Sequence, residues 1–169
     1  MSTPATRILI VDDEARSMRA LRDTLRVHGY ETDGYTSGED ALRALRGGRY
    51  DLLLSDLMMP GMDGVALLIA ALAVDPHLVG VMMTGMGTIE TAVRAMQAGA
   101  LDYVQKPIKL GTLLPVLARA VEVRRLRQEN MELRDKVTIH ELNEAMAHTL
   151  DRDVLLARIA EAAMAQFQA

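Results

Sequence analysis

Five short apolar runs, each followed by a stretch of helical periodicity, limit most strongly what this chain can fold into. "RILIV" (7–11) reads as a fully buried strand. In "EARSMRALRDTLRVHG" after it, Met18, Leu21 and Leu25 recur at helical spacing, and Gly29 suits a C-terminal cap. "ETDGY" (31–35) is a weaker strand. Ser37 with Asp40 then resembles a capping box that opens a helix through Leu42 and Leu45, closed by Gly47 and Gly48. "DLLLS" (51–55) is a third strand, and Val65 to Val74 is read as a mostly buried helix. "VGVMMT" (79–84) is a fourth strand, after which Thr88 caps a helix with Ile89, Ala92, Val93 and Met96 on one face. "LDYVQ" (101–105) is a short fifth strand ahead of Pro107. Such alternation predicts a parallel sheet covered by helices on both faces.

In sheets of this kind, chemistry gathers at the C-terminal ends of the strands. Asp12 and Asp13 end the first strand and Asp56 the third; Thr84 and Gly85 end the fourth, and the fifth runs into Lys106 and Pro107. Asp56, in "LLLSDLMMPGMDG" (52–64), follows an apolar run where a carboxylate is expensive to desolvate, and a Pro-Gly turn folds the chain away from it. Singly, each residue has a bland reading: Asp13 as a helix cap, Thr84 as a loop hydroxyl, Lys106 as a solvated surface lysine. Together, three acids, a hydroxyl and an amine from four strands are expected to converge on one spot.

Charge and composition exclude several classes of function. Through Ile108 there are ten Lys/Arg against fourteen Asp/Glu, and from Lys109 onward nine against nine. No basic face for nucleic acid emerges, so direct DNA binding is not expected. With no cysteine there is neither a disulfide framework nor a thiolate metal site, which fits a reducing cytosol. The longest apolar run, "VALLIAALAV" (65–74), is too short to cross a bilayer, and "MSTPATR" lacks the apolar region of a signal peptide. A cytoplasmic chain without membrane contact is the expectation.

"ILIVDDE", "LLLSDLMMPGMDG", "VMMTGMG" and "AGALDYVQKP" resemble, in order and spacing, the receiver domain of two-component response regulators, with phrasing nearest receivers of the nitrogen-regulator type. The resemblance covers roughly residues 5 to 122. It implies a (βα)5 doubly wound α/β fold, flavodoxin-like, with strand order 2-1-3-4-5 and an extended C-terminal helix. It implies that Asp56 is the nucleophile that accepts a phosphoryl group from a phosphohistidine on a histidine kinase or phosphotransfer protein. Like-charge repulsion between carboxylate and phosphoryl group calls for Mg²⁺, a hard cation suited to the Asp13 and Asp56 carboxylates and the Met58 carbonyl, with Asp12 holding water in the shell. Lys106 would neutralise one phosphate oxygen as a point charge, Thr84 would donate its hydroxyl to another, and Gly85 would leave room beside the phosphate. By the same resemblance the Lys106-Pro107 bond is expected to be cis.

Thr84 and Tyr103 match the family's switch pair: Thr84 moves toward the phosphate and Tyr103 turns into the vacated space, a population shift between two packings. Two positions at the rim of the site are methionine, Met58 and Met86. Thioethers cannot hold an attacking water through strong hydrogen bonds, so slow self-dephosphorylation is expected. The bland alternative is that both methionines only pack.

Beyond Lys109 the helical pattern continues into a heptad register, with Val123, Asn130 and Val137 at a and Leu126 and Leu133 at d. A β-branched a layer, a leucine d layer and one Asn at a favour a parallel two-stranded coil, hence a homodimer. The flanking pairs Glu122–Arg127, Glu129–Arg134 and Lys136–Glu141 are all opposite in sign. The alternative is a solvated single helix. The last stretch, "HELNEAMAHTLDRDVLLARIAEAAMAQFQA", resembles the opening helices of a GAF sensory domain, whether truncated or acting as a dimerisation hairpin. The expected division is a receiver at 1–122, a coiled-coil linker at 123–141 and a helical segment at 142–169.

Two other classes of function fit the sequence poorly. An aspartyl-nucleophile phosphatase usually carries a second acid two residues after the nucleophile, where this chain has Met58. A dinucleotide-binding fold needs a glycine-rich phosphate loop that "ILIVDDE" lacks. The remaining alternative is a phosphorylation-independent dimerisation scaffold.

Overall fold

The computed structural model describes residues 5–85, 89–134, 136, 138 and 139. Met86, Thr88, Val137 and the 142–169 segment lie outside them. The chain divides into two compact units, residues 1–127 and 128–169.

The first unit alternates β1 (Arg7–Val11), α1 (Ala15–Val27), β2 (Glu31–Tyr35), α2 (Gly38–Gly47), β3 (Leu52–Asp56), α3 (Gly64–Val74), β4 (Val79–Thr84), α4 (Ile89–Gln97) and β5 (Asp102–Gln105). A last helix, α5, begins at residue 110. All strand pairs are parallel and the sheet order is β2-β1-β3-β4-β5, as expected. Alternating strand residues feed two cores. Leu9, Val11, Leu53 and Met82 face Leu67, Leu68 and Ala71 of α3. Ile8, Ile10, Leu54 and Val81 face Leu25 of α1 and Leu113 and Leu117 of α5. The central strands β3 and β4 are buried along their whole length, which is why they open as apolar runs.

Local signals act where the residues place them. The Asp40 N–H donates to Ser37 Oγ (3.2 Å) to open α2. Gly29 takes φ +88° at the end of α1, its N–H donating to the Arg26 carbonyl (3.0 Å). Asp63 caps α3 by accepting the Ala66 N–H (2.7 Å), a start signal hidden inside the turn motif.

One expectation needs correction. Helix α3 is not mostly buried: Gly64, Leu67, Leu68 and Ala71 are, whereas Ile69 is 55 % exposed and Val74 also faces solvent. An outer helix has one face against the sheet whatever its composition, and a helix without polar residues offers no periodicity from which to read that face. Among the described side chains of α4 the buried one is Ala95, while Val93 and Met96, on the face that carries Ala92, are exposed.

In the second unit, residues 128–134, 136, 138 and 139 are helical with exposed side chains, among them Asn130, Leu133 and Ile139. No helix among the described residues is long and apolar enough to cross a membrane.

Candidate functional site

Parallel register brings the strand ends to one edge: Val11 lies opposite Ser55, Asp56 opposite Met83, and Thr84 opposite Gln105. Asp12, Asp56 and Thr84 are buried there although polar. Asp12, Asp13 and Asp56 each offer a carboxylate oxygen, and these oxygens lie within 4.8 Å of one another. Such an all-oxygen donor set suits a hard divalent cation.

Lys106 answers this negative charge. Its Nζ lies 2.5 Å from Asp56 Oδ2 and 2.8 Å from Asp12 Oδ2. Burial works against the ammonium, but the hydrogen bonds to Asp12 and Asp56 outweigh it, and the lysine pKa is raised. The lysine is therefore firmly charged. Its own N–H donates to the Thr84 carbonyl (2.7 Å), continuing the β4–β5 ladder, and the Lys106-Pro107 bond is cis. The second Asp56 oxygen, Oδ1, accepts the Met58 N–H at 3.3 Å. Asp12 Oδ1 accepts the Glu14 N–H at 2.9 Å, which fixes the head of α1 to the site.

The Thr84 hydroxyl is buried and has no hydrogen-bond partner among the described residues. Such an atom is expensive to keep, and native proteins hold few of them. Tyr103 is 46 % exposed on β5, and the Met58 side chain at the site's mouth is 70 % exposed. Gly85 is exposed, and among the described residues a Cβ there would meet nothing within 4 Å. Beside Lys106 a cleft of about 670 Å³ opens, lined by Glu14, Ser17 and Leu21 on one wall and by Pro107 and Ile108 on the other.

Sequence reasoning passed over several residues that shape the site. Ser55 donates its hydroxyl to the Asp56 carbonyl (2.9 Å), yet in "LLLSD" it looks like strand filling. Gly64 packs so closely on the Asp56 carbonyl that a Cβ would collide with it. The glycine after "MPGMD" is the signal that marks the contact. Arg124, at the opposite edge of the sheet, is buried and paired with Asp75, although its place in a charged helical stretch reads as surface.

A family model, the response regulator receiver domain, matches residues 8–118. The C4-dicarboxylate transport transcriptional regulatory protein DctD of Rhizobium meliloti is 38 % identical over 130 residues, 77 % of this chain and 28 % of that protein. The transcriptional regulatory protein ZraR of Salmonella typhimurium is 40 % identical over 114 residues, 68 % of this chain and 26 % of that protein. The chain thus spans roughly a quarter of the length of these relatives. Among solved structures, NtrX from Brucella abortus, crystallised with ADP, superposes with a TM-score of 0.72 at 37 % identity, covering 76 % of this chain and 30 % of that one. A CheY-like receiver from Methanospirillum hungatei superposes at 0.69 and 28 % identity, covering 73 % and 98 %. With the ordered strand-end residues and the sheet order already in place, the chain belongs to the response regulator receiver family of two-component signalling.

Proposed function

We propose that Asp56 is the phosphoacceptor. The observation that carries the reading is the Lys106 ammonium seated on a buried Asp56 inside a trio of carboxylates at the sheet's C-terminal edge. An Asp56 carboxylate oxygen attacks the phosphorus of a phosphohistidine on a partner kinase or phosphotransfer protein. The P–N bond breaks, the imidazole leaves and takes up a proton, and an acyl phosphate remains. Asp13, Asp56 and the Met58 carbonyl would hold Mg²⁺, with Asp12 retaining water in its shell; the ion screens the charge of nucleophile and phosphoryl group.

The other steps belong to the chain's own side chains. Lys106, already poised on Asp56, turns its ammonium to a phosphate oxygen once the carboxylate has reacted. The unpartnered Thr84 hydroxyl then gains an acceptor in a second phosphate oxygen, and relief of that buried donor contributes to the driving force. As Thr84 moves, the exposed Tyr103 ring turns inward. The face that carries Val93, Met96 and Tyr103 changes as a result.

The coil positions Val123, Leu126, Asn130, Leu133 and Val137 pair two copies in parallel, and the homodimer relays the state to an output module. Exposed Leu126 and Leu133 in the single chain support this seam. A cytoplasmic setting, beside the kinase's supply of ATP, accords with it. The test is incubation with acetyl phosphate and Mg²⁺ followed by intact mass measurement. One phosphoryl group is expected on the native chain and none on Asp56→Asn. Equal labelling of both would end the proposal, and a wholly unlabelled native chain would favour the phosphorylation-independent scaffold.

A further inference from the structure

We infer that Ser55 is a positioning residue for Asp56: its hydroxyl holds the Asp56–Leu57 peptide, and through it sets the Met58 backbone against the reacting carboxylate. The inference rests on the phosphoacceptor reading and adds a residue to it.

Ser55 is fully buried in β3, between Val11 of β1 and Met82 of β4. Its strand neighbours on the same face, Leu53 and Leu57, belong to the apolar core beneath α3. A hydroxyl in that place forfeits hydration, and the bond it makes in return goes to one atom, the Asp56 carbonyl at 2.9 Å. That carbonyl and the Leu57 N–H are the two polar atoms of a single planar peptide. The Leu57 N–H donates to the Met83 carbonyl of β4 at 2.8 Å. The plane is therefore tied at both ends.

Gly64 closes the remaining side. A Cβ on it would collide with the Asp56 carbonyl oxygen and meet the Asp56 carbonyl carbon and Leu57 Cα at 3.0 Å. Its N–H donates to the Leu57 carbonyl at 3.0 Å. The tilt of this peptide governs where residue 58 begins. The Met58 N–H reaches Asp56 Oδ1 at 3.3 Å, a long bond that a small rotation of the plane would break. Ser55 thus acts on the carboxylate through the chain that follows it, touching neither phosphate nor metal.

Three variants isolate the hydroxyl. Ser55→Ala removes it without added bulk, while Ser55→Thr keeps it and Ser55→Val has threonine's shape without it. Phosphorylation by acetyl phosphate under saturating Mg²⁺ is followed against donor concentration, with urea midpoints and amide hydrogen exchange at Met58. In the Ala and Val variants the maximal rate should fall about tenfold with the donor half-saturation unchanged. The Met58 amide should exchange roughly tenfold faster in both, tracking loss of its bond to Asp56. Ser55→Thr should stay within about twofold of the native chain on both measures. An Ala variant at native rate and native exchange overturns the inference. So does a Thr variant that falls as far as Val, which assigns the loss to packing. If the native chain takes no phosphoryl group, the phosphoacceptor reading itself fails, while the exchange pattern still decides whether Ser55 holds the peptide.

Discussion

Replacing Arg124 by methionine removes a buried cation from the edge of the sheet opposite the proposed phosphorylation site and keeps an unbranched apolar stem in its place. Arg124 is 8 % exposed, and its guanidinium meets Asp75 as a fork, Nη2 to Oδ2 at 2.9 Å and Nη1 to Oδ1 at 3.2 Å. Nε stands 3.6 Å from Asp51 Oδ1, and Nη2 also reaches the Tyr50 carbonyl at 3.5 Å. Breaking a fully buried ion pair by removing one partner costs ~3–5 kcal/mol. Here Asp75 and Asp51 keep 27 % and 34 % of their side-chain surface, so water stabilises the stranded carboxylates and the expected cost falls to ~2–3 kcal/mol. Urea denaturation at pH 7 reads this directly, and a double-mutant cycle with Asp75→Asn should return a coupling of ~1–2 kcal/mol. Acid sharpens the test. Burial alone would raise the Asp75 pKa, but the hydrogen bonds from Arg124 and the His77 N–H overcome it and hold the carboxyl below its ordinary value. A carboxyl depressed in the folded state stabilises fully above its unfolded pKa of ~3.9, and that stabilisation drains away as pH falls through the folded pKa. The native chain should therefore lose stability below about pH 4 more steeply than the Arg124→Met variant. A variant within ~0.5 kcal/mol of native at pH 7, or one with the native acid slope, would refute the clamp.

Lys106→Gln should fold but slow phosphorylation by acetyl phosphate ~100-fold, because the ammonium no longer meets the developing phosphate charge; a rate within threefold of native counts against the proposed role. The same variant should bind Mg²⁺ more tightly by isothermal titration, since the Asp12 and Asp56 carboxylates then lack a competing cation. Purified phosphorylated chain with Mg²⁺ should keep its label longer than Met58→Asn and Met86→Gln variants do, and equal decay would show that the two methionines only pack. Leu133→Asp should shift sedimentation from dimer toward monomer, while Leu133→Ile holds the dimer; a native chain that is monomeric throughout would remove the coil.

The alternation of strand and helix was legible because β1, β3 and β4 are largely buried and carry apolar runs, with polar residues falling at or near their ends. The site was legible for a related reason: a charged or hydroxyl residue that terminates such a run has nowhere to go but the sheet's edge. Sequence reading failed where the physical cause was a contact rather than a period. Nothing in "GVALLIAALAV" distinguishes Leu68, packed on Gly80, from Ile69 in solvent, because both are aliphatic and the helix has no polar face. Arg124 lies among Arg125 and Arg127 in the chain, and only the fold brings Asp75 and Asp51 to it. Ser55 was overlooked because its partner is a backbone carbonyl, and backbone partners leave no trace in side-chain patterns.

Each edge of the sheet carries its own polar network, and each holds one buried side-chain atom without a hydrogen-bond partner among the described residues, Arg124 Nε at one and Thr84 Oγ1 at the other. At the N-terminal edge polar groups are tied across strands: Arg7 to Asp33 at 2.8 Å, the Tyr50 hydroxyl to the same carboxylate at 2.9 Å, the Arg7 N–H to Asp51 at 2.9 Å, and Arg124 to Asp75. At the C-terminal edge one lysine serves two carboxylates, a third carboxylate is exposed, and the buried Thr84 hydroxyl has no partner among the described residues. An unsatisfied buried hydroxyl is costly, so on the proposed reading a phosphate that supplies its acceptor and takes over the lysine would gain more than it would in a fully paired site. On the same reading, a change at Asp56 is expressed in Thr84 and Tyr103, where β4 and β5 end.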